Sequence, residues 1–322
     1  MQIAGRKRTS TRRIPWLALI LFIALSSQFI VTAAYGQAWV PRKRTGSVSI
    51  IYKNLYVRDH TTVTGKRFNA GQIYQNVALL ELDYGISRRL AVNLSLPLVF
   101  AKYSGNQPHR DEGQVDYIDD GSFHGGSQDL RVGFRYHLVR ERPLDVTPFI
   151  EGIVPTRDYP TFGHALIGRN LLELLVGTNV GRDLSPLLPN VYVQTRASYA
   201  FVERVMDISH NRANLDSQID YLLTERLALS ILASIQKHFG GLTWIEDFSL
   251  YSHEEWHNHT QLFRSDAVDV GAGLSFRINA DTAVFANLIT TSWSKNSHPL
   301  NRGVIVGVSR SFHTKKRRPP LN

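Results

Sequence analysis

The chain has 322 residues, with 37 Lys and Arg against 27 Asp and Glu, and it contains no cysteine. A mean hydropathy of −0.18 excludes a polytopic helical membrane protein, which needs several apolar runs of about 20 residues. Aromatic residues at 10% and hydrophobic residues at 43% exclude a disordered chain. Without cysteine there are no disulfides, thiolate metal sites or cysteine nucleophiles.

The formal charge of +10 is concentrated at the two ends of the chain. Residues 1–36 contain five basic residues and no acid, and Lys315–Arg318 add four more positive charges. The sequence between them has 28 basic and 27 acidic residues. Because this long middle region is nearly neutral, it lacks the basic surface of a nucleic-acid-binding protein, and no nucleic-acid partner is expected.

Residues 1–36 have the composition of a secretory signal peptide. The positive start is followed by an apolar run over Ile14–Leu25 and then by small residues. Cleavage after Ala34, Gly36 or Ala38 would satisfy the small-x-small rule. The alternative is an uncleaved membrane anchor, but the short apolar core favours cleavage.

The next part of the chain alternates apolar and polar residues with a period of two, which predicts strands. In Leu130–Leu138 the even positions are apolar, whereas Arg131, Arg135 and His137 occupy odd positions. Similar runs recur at fairly even intervals and predict an all-β fold of about twelve strands. They lie at about 46–57, 78–84, 90–100, 130–138, 146–154, 172–180, 191–201, 215–223, 227–238, 268–277, 282–291 and 304–312.

The spacers between these runs are alternately short and long. Short turns are expected at 85–89, 140–145, 181–190, 224–226 and 277–281, and long loops at about 58–71, 101–127, 155–170, 203–213, 239–265 and 292–302. This asymmetry is typical of an up-and-down antiparallel barrel in the bacterial outer membrane, with the short turns and both termini in the periplasm.

A soluble β-sandwich would alternate in the same way. Apolar faces of about five residues make a band about 25 Å tall on tilted strands, and the opposite faces carry charges in mid-strand, which favours a membrane barrel with outer-membrane lipid as its partner. Those inward charges are either structural pairs or a polar path for a solute. The lumen-facing candidates are Glu81, Asp83, Asp129, Arg131, Arg135, Glu173, Arg196, Asp216 and Asp220.

One predicted loop contains a histidine-rich segment. His253 and His257 are four residues apart and His259 follows, so a helical turn would let the first two share a metal such as zinc. The alternative is a polar extracellular loop without a metal.

Several motifs of enzymes and cofactor sites are missing from the sequence. There is no Gly-x-Ser-x-Gly and no His-x-Ser on an alternating strand, and Ser122-Phe123-His124 has the reverse order. The glycines Gly121, Gly125 and Gly126 lack the Gly-Lys-Ser/Thr of a phosphate cradle. We therefore expect neither an enzyme nor a bound cofactor.

Two motifs resemble those of a known family. Residues 127–138, Ser-Gln-Asp-Leu-Arg-Val-Gly-Phe-Arg-Tyr-His-Leu, resemble a Gly/Ser-x-Asp-Leu-x-x-Gly-x-Arg-Tyr strand of Gram-negative outer-membrane barrels assigned to the MetA pathway of phenol degradation. Val154–Pro160, followed by Gly168–Asn170, is similar to the Leu-Pro-Thr-Gly-Asp element of that family, with Arg157 replacing the glycine. The resemblance implies an outer-membrane barrel that is grouped with transporters of hydrophobic compounds.

The predicted organisation is a signal peptide at 1–36, a barrel at 37–312 and a basic periplasmic tail at 313–322. Phe312 is the expected aromatic residue of the last strand, and the outer-membrane assembly machinery is an expected partner. The tail that follows indicates that assembly recognition is internal. The predicted function is a channel or transporter for small hydrophobic or aromatic compounds; a non-conducting structural or surface-interaction barrel is the main alternative, followed by an outer-membrane lipid hydrolase.

Overall fold

In the computed structural model of the protein, residues 37–110, 117–141, 144–243 and 251–314 are described. The predicted signal peptide and residues 315–322 of the predicted tail lie outside these ranges. Among the described residues, fourteen strand segments belong to one sheet. They are β1 (Thr45–Thr61), β2 (Arg67–Gly85), β3 (Leu90–Ser104), β4 (His124–Ser127), β5 (Leu130–Tyr136), β6 (Val139–Glu141), β7 (Leu144–Val154), β8 (Glu173–Asp183), β9 (Val191–Val202), β10 (His210–Leu222), β11 (Leu227–Gly240), β12 (Asp266–Arg277), β13 (Thr282–Lys295) and β14 (Leu300–His313).

The sheet closes on itself as an antiparallel barrel. β14 pairs with β1, and β2 pairs with both β1 and β3. The segments β4 and β5 both pair with β3, and β5 and β6 both pair with β7, so these three segments form a single interrupted strand. Counted in this way, the described residues form twelve barrel strands, which confirms the predicted fold class and strand number.

Several strands extend beyond the predicted runs. The predicted loop at 58–71 is mostly a hairpin, because Arg58 pairs with Gln72 and His60 pairs with Phe68. In the same way β10 begins at His210, inside the predicted loop at 203–213. These extensions have few alternating apolar residues, so the sequence pattern does not mark them as strands.

The strand that contains Phe134 has the apolar outer face and polar inner face that its alternation predicts. Phe134 is 46% exposed on the outer face, whereas the adjacent Arg135 is 3% exposed and points inward. Exposed apolar residues on the other strands, such as Ile50, Ile231 and Leu288, continue this outer belt around the barrel. On the inner face, one wall is apolar and is packed by Ile51, Leu55, Val57, Val77, Leu79, Val99, Phe285, Ile289 and Ile305.

The short turns share a local hydrogen-bonding device. The Ser87 hydroxyl accepts hydrogen bonds from the N–H groups of Arg89 and Leu90. The Thr224 hydroxyl accepts hydrogen bonds from the N–H groups of Arg226 and Leu227. The side chain of Asn279 does the same. Short polar side chains at the start of a tight turn satisfy N–H groups that the strand ladder no longer reaches, which is why these turns need so few residues.

The long loops fold over the other end of the barrel. The segment 155–172 enters the barrel, where Ile167 packs against the apolar wall and the Gln75 side chain donates to the Leu166 carbonyl at 3.3 Å. The described residues 251–265 include two short helices, α1 (His253–His257) and α2 (His259–Leu262). Among the described residues, no helix is long and apolar enough to cross a membrane.

The outer belt generates a prediction about charge. Leu288 lies in the middle of β13 and is 62% exposed. In a lipid bilayer, Leu288→Arg would place a cation near the midplane, so we expect it to lower the free energy of unfolding by about 2–4 kcal/mol. Denaturant titration of the protein folded into phospholipid vesicles measures this. Leu288→Val is the matched apolar control, and equal stability of the two variants would contradict a lipid-facing belt.

Candidate functional site

Two cavities in the described part of the barrel interior share lining residues. The lower chamber, near the short turns, has a volume of about 90 Å³, and the upper chamber, beneath the long loops, has a volume of about 340 Å³. Ser95, Arg131 and Arg212 line both chambers. The boundary between the chambers is therefore at the level of these two arginines.

Four arginines and two glutamates cluster at this boundary and form what we call the arginine–glutamate layer. Its members are Arg131, Arg169, Arg196, Arg212, Glu151 and Glu173.

Glu173 is the carboxylate at the centre of one half of the layer. Arg212 donates to both of its oxygens, with Nη1 to Oε1 at 2.9 Å, and Arg169 Nη2 donates to Oε1 at 2.7 Å. All three side chains are at least nine-tenths buried. A bidentate arginine–carboxylate pair is among the stronger ionic contacts in proteins and fixes geometry as well as charge.

Glu151 holds the other half of the layer. Arg196 Nη2 donates to its Oε2 at 3.2 Å, and Arg131 Nη1 lies 3.7 Å from its Oε1. The Arg196 guanidinium also stacks on Phe149, 3.7 Å from the ring centroid. With four guanidinium groups and two carboxylates, the layer carries an excess positive charge.

The nine candidates from the sequence all face the interior. Arg131, Glu173 and Arg196 belong to the layer, and Glu81, Asp83, Arg135 and Asp216 line the lower chamber, where Arg135 donates to Asp83 at 2.5 Å. Asp129 lines the upper chamber and accepts from Tyr159. Asp220 lies closer to the short turns and accepts from Gln218 at 2.7 Å.

Three of the six residues of the layer were not predicted from the sequence to face the lumen. Glu151 lies in a run with weak alternation, Arg212 lies in a predicted loop that is part of β10, and Arg169 lies in the loop that folds into the barrel. Of these three, only Glu151 could have been predicted to face the lumen, because it is a charged residue among apolar residues of a predicted strand.

The upper chamber has one apolar wall and a charged floor, and six histidines are among its lining residues. Leu55, Val57, Val77, Val99 and Ile153 form the apolar wall, and the layer supplies Arg131, Arg169, Arg212 and Glu173 below. A cavity that combines apolar surface with placed polar groups is the usual design of a small-molecule site.

The first described residues occupy the lower chamber. Arg135 Nη1 donates to the Gln37 carbonyl at 2.8 Å, Arg196 Nη1 donates to the Gln37 side chain at 2.7 Å, and Thr147 donates to the Ala38 carbonyl at 2.6 Å. Ala38 is fully buried. The start of the predicted barrel domain therefore narrows the short-turn end of the lumen.

The roof of the upper chamber, which we call the lid, is formed by the segments 105–110, 117–123, 155–172 and 251–265. A column of stacked rings runs through it: Tyr103 on His164 at 4.4 Å, His164 on His109 at 4.0 Å, His109 on Phe162 at 5.4 Å and Phe162 on His257 at 4.7 Å, all between ring centroids. The buried Asp119 carboxylate accepts the backbone N–H groups of His109, His164 and Ala165.

The histidines singled out from the sequence are separated in the lid. His253 and His257 are exposed on α1 with ring centroids 6.3 Å apart, whereas His259 is buried and stacks on Trp256 at 4.5 Å. His259 also meets the edge of His109 at 4.7 Å. His259 therefore lies among the buried lid histidines, whereas His257, although exposed, stacks on Phe162 at the end of the column.

Comparison with solved structures finds similar barrels. A crystal structure of an outer membrane channel from Pseudomonas putida F1 aligns with a TM-score of 0.63 and 14% identity, over 86% of this chain and 99% of that chain. The NanC porin aligns at 0.48 with 9% identity, over 82% and 98%. The β domain of the Bordetella autotransporter BrkA aligns at 0.48 with 13% identity, over 84% and 100%. Comparisons with protein-family models and with curated proteins found no match.

The fold and the two-faced strands thus define a closed, antiparallel β-barrel of twelve strands with an apolar belt. The similarity to the Pseudomonas putida F1 channel is a similarity of fold, at a level of identity that carries no residue roles with it.

Proposed function

We propose that the protein is an outer-membrane channel for small solutes, with a path that runs through the upper chamber, the arginine–glutamate layer and the lower chamber. The observation that carries the proposal is the pair of chambers that meet at Arg131 and Arg212. The apolar belt supports insertion into lipid, and the stacking of Tyr84 on Phe312 at the short-turn end supports an aromatic girdle at the membrane surface. The fold shared with a known channel is consistent with this role.

The proposed solutes are small hydrophobic or aromatic compounds. Two observations support this class: the apolar wall of the upper chamber, and the resemblance of residues 127–138 to the barrel family grouped with hydrophobic-compound transporters. A polar sugar would leave this wall poorly matched, because apolar surface gains little from contact with hydroxyl groups.

The second candidate is a non-conducting barrel. It is favoured by the density of the arginine–glutamate layer and by the position of Gln37 in the lower chamber, since both fill the lumen of a twelve-strand barrel. Single-channel recording distinguishes the two candidates, because only a channel carries current.

Recording in planar bilayers also tests the layer itself. We expect discrete conductance steps from the wild type. Glu173→Gln removes one carboxylate from among three arginines, so the reversal potential should shift toward anion selectivity. Glu254→Gln makes the same chemical change on the exposed α1 helix and should leave selectivity unchanged.

A second variant separates an effect on charge from an effect on folding. Losing one partner of a buried ion pair costs about 3–5 kcal/mol, so Glu173→Gln is expected to unfold at lower denaturant concentration than the wild type. The double variant Glu173→Gln/Arg212→Gln removes one charge of each sign and should return selectivity toward that of the wild type. Absence of current from the folded wild type would favour the non-conducting barrel.

We also infer that the signal peptide is cleaved before Gln37. Of the three candidate cleavage positions, the one after Ala38 would remove a residue that receives hydrogen bonds from Arg135 and Arg196. Cleavage after Ala34 or Gly36 retains it. Intact mass spectrometry of the protein purified from membranes should give a first residue of Tyr35 or Gln37, and a mass that includes Met1 would contradict cleavage.

A further inference from the structure

The two chambers differ in charge. Four arginines and four acidic residues line the lower chamber, so its lining is balanced. Five cationic and two acidic side chains line the upper chamber, which gives it an excess of three positive charges while its histidines are neutral. The cationic side chains are those of Lys53, Arg131, Arg169, Arg212 and Arg264. The excess positive charge therefore lies on the long-loop side of the arginine–glutamate layer.

Both acidic residues of the upper chamber already have partners. Arg169 and Arg212 donate to Glu173. Tyr159 donates to Asp129 at 2.5 Å. Neither carboxylate forms an ion pair with any of the other three cationic side chains.

Those three side chains, Lys53, Arg131 and Arg264, have few partners of their own. Among the described residues, neither Lys53 nor Arg264 forms an ion pair. The buried Nε of Arg264 also lacks a hydrogen-bond partner there. Arg131 Nη1 is 3.7 Å from Glu151 Oε1, which is beyond hydrogen-bond distance. The upper chamber is thus lined by three cationic groups whose hydrogen-bonding capacity is largely unused.

Lys53 is the most deeply buried of the three. It lies on β1 between Ile51 and Leu55, two residues of the apolar wall, and its exposed fraction is 5%. An ammonium group that is taken out of water is costly unless an anion or a hydrogen-bond acceptor meets it. Since Lys53 lines the upper chamber, an anion in that chamber would supply the partner that the described residues do not.

We propose that the upper chamber binds a small aromatic or similarly apolar carboxylate, with its carboxylate on Lys53 and Arg131 and its body against the apolar wall. The inference rests on the proposed channel for the step from binding to transport, and it narrows the proposed solutes to those with a negative charge. An arginine can pair with a carboxylate through two parallel hydrogen bonds. The chamber volume of about 340 Å³ is within the range of small-molecule sites, about 300–1,000 Å³.

The competing explanation is that Lys53 only balances Glu81, which lines the lower chamber. Glu81 acts electrostatically on Lys53, although the two form no ion pair. Glu81→Gln separates the two explanations. If Lys53 binds the carboxylate of a solute, removing a nearby negative charge should tighten that binding. If Lys53 serves Glu81 alone, Lys53→Gln should leave the binding of the solute unchanged.

The test is isothermal calorimetry of the folded, full-length barrel with sodium benzoate, at pH 7 and low ionic strength because salt screens charge. Two further probes divide benzoate into its parts. Benzamide keeps the ring without the charge, and acetate keeps the charge without the ring. We expect one benzoate to bind per barrel, and each of the other two probes to bind at least about tenfold more weakly.

Four variants locate the site. Lys53→Gln and Arg131→Gln should each weaken benzoate binding at least about tenfold. Glu81→Gln should tighten it by about fivefold, the effect of one unit charge a few ångströms away in a water-like medium. Arg302→Gln makes the same change as Arg131→Gln at an exposed position of β14 and should leave the affinity unchanged. The comparison of benzoate with benzamide needs no variant, so a variant that fails to fold leaves the test intact.

Equal affinity for benzoate and benzamide, or unchanged benzoate affinity in both Lys53→Gln and Arg131→Gln, would overturn the inference. Calorimetry does not depend on current through the barrel. A wild type that conducts but binds no benzoate would therefore overturn the carboxylate site and leave the channel standing. A wild type that binds benzoate without conducting would support the carboxylate site and contradict the channel.

Discussion

The constraint that organises this molecule is the closed ring of cross-strand backbone pairing. β14 returns to β1 in a register that places His313 opposite Thr45 and Gly307 opposite Ile51. A slip of one residue anywhere in such a ring would move the side chains of a strand to the opposite face. The outer belt and the inner charges are therefore set together: once Phe134 points outward, Arg135 must point inward.

Charges enclosed in this way need partners, and the barrel supplies them across two strands. Glu151 on β7 meets Arg196 on β9, Glu173 on β8 meets Arg212 on β10, and Arg135 on β5 meets Asp83 on β2, beyond the intervening β3. Strands two apart are separated by about 10 Å along the wall, a gap that one arginine and one acidic side chain can close. The first two of these pairs belong to the arginine–glutamate layer, which lies where the upper and lower chambers meet.

The sequence predicted the parts of the fold that follow from local alternation. Strands such as Leu130–Leu138 were predicted because apolar outer residues alternate with inward polar residues within the belt. The extensions beyond the belt were missed, and Arg212 with them, because Asn211, Arg212 and Asn214 show no alternation. The ion pairs could not be predicted, since Glu151 and Arg196 are 45 residues apart and meet only when the ring closes. The contacts of the lid could not be predicted from the sequence either. The stacked histidines His109 and His164 come from separate loops, whereas local spacing identifies only the group at 253–259.

The central claim is that the arginine–glutamate layer separates two chambers along one path. Because the chain has no cysteine, single cysteines report accessibility without background. Gln75→Cys would place a thiol in the upper chamber and Ser234→Cys would place one in the lower chamber. With a charged methanethiosulfonate reagent added to the long-loop side of a planar bilayer, the account predicts that Gln75→Cys reacts faster than Ser234→Cys by at least an order of magnitude. Equal rates at the two positions, or no reaction at Gln75→Cys, would contradict it.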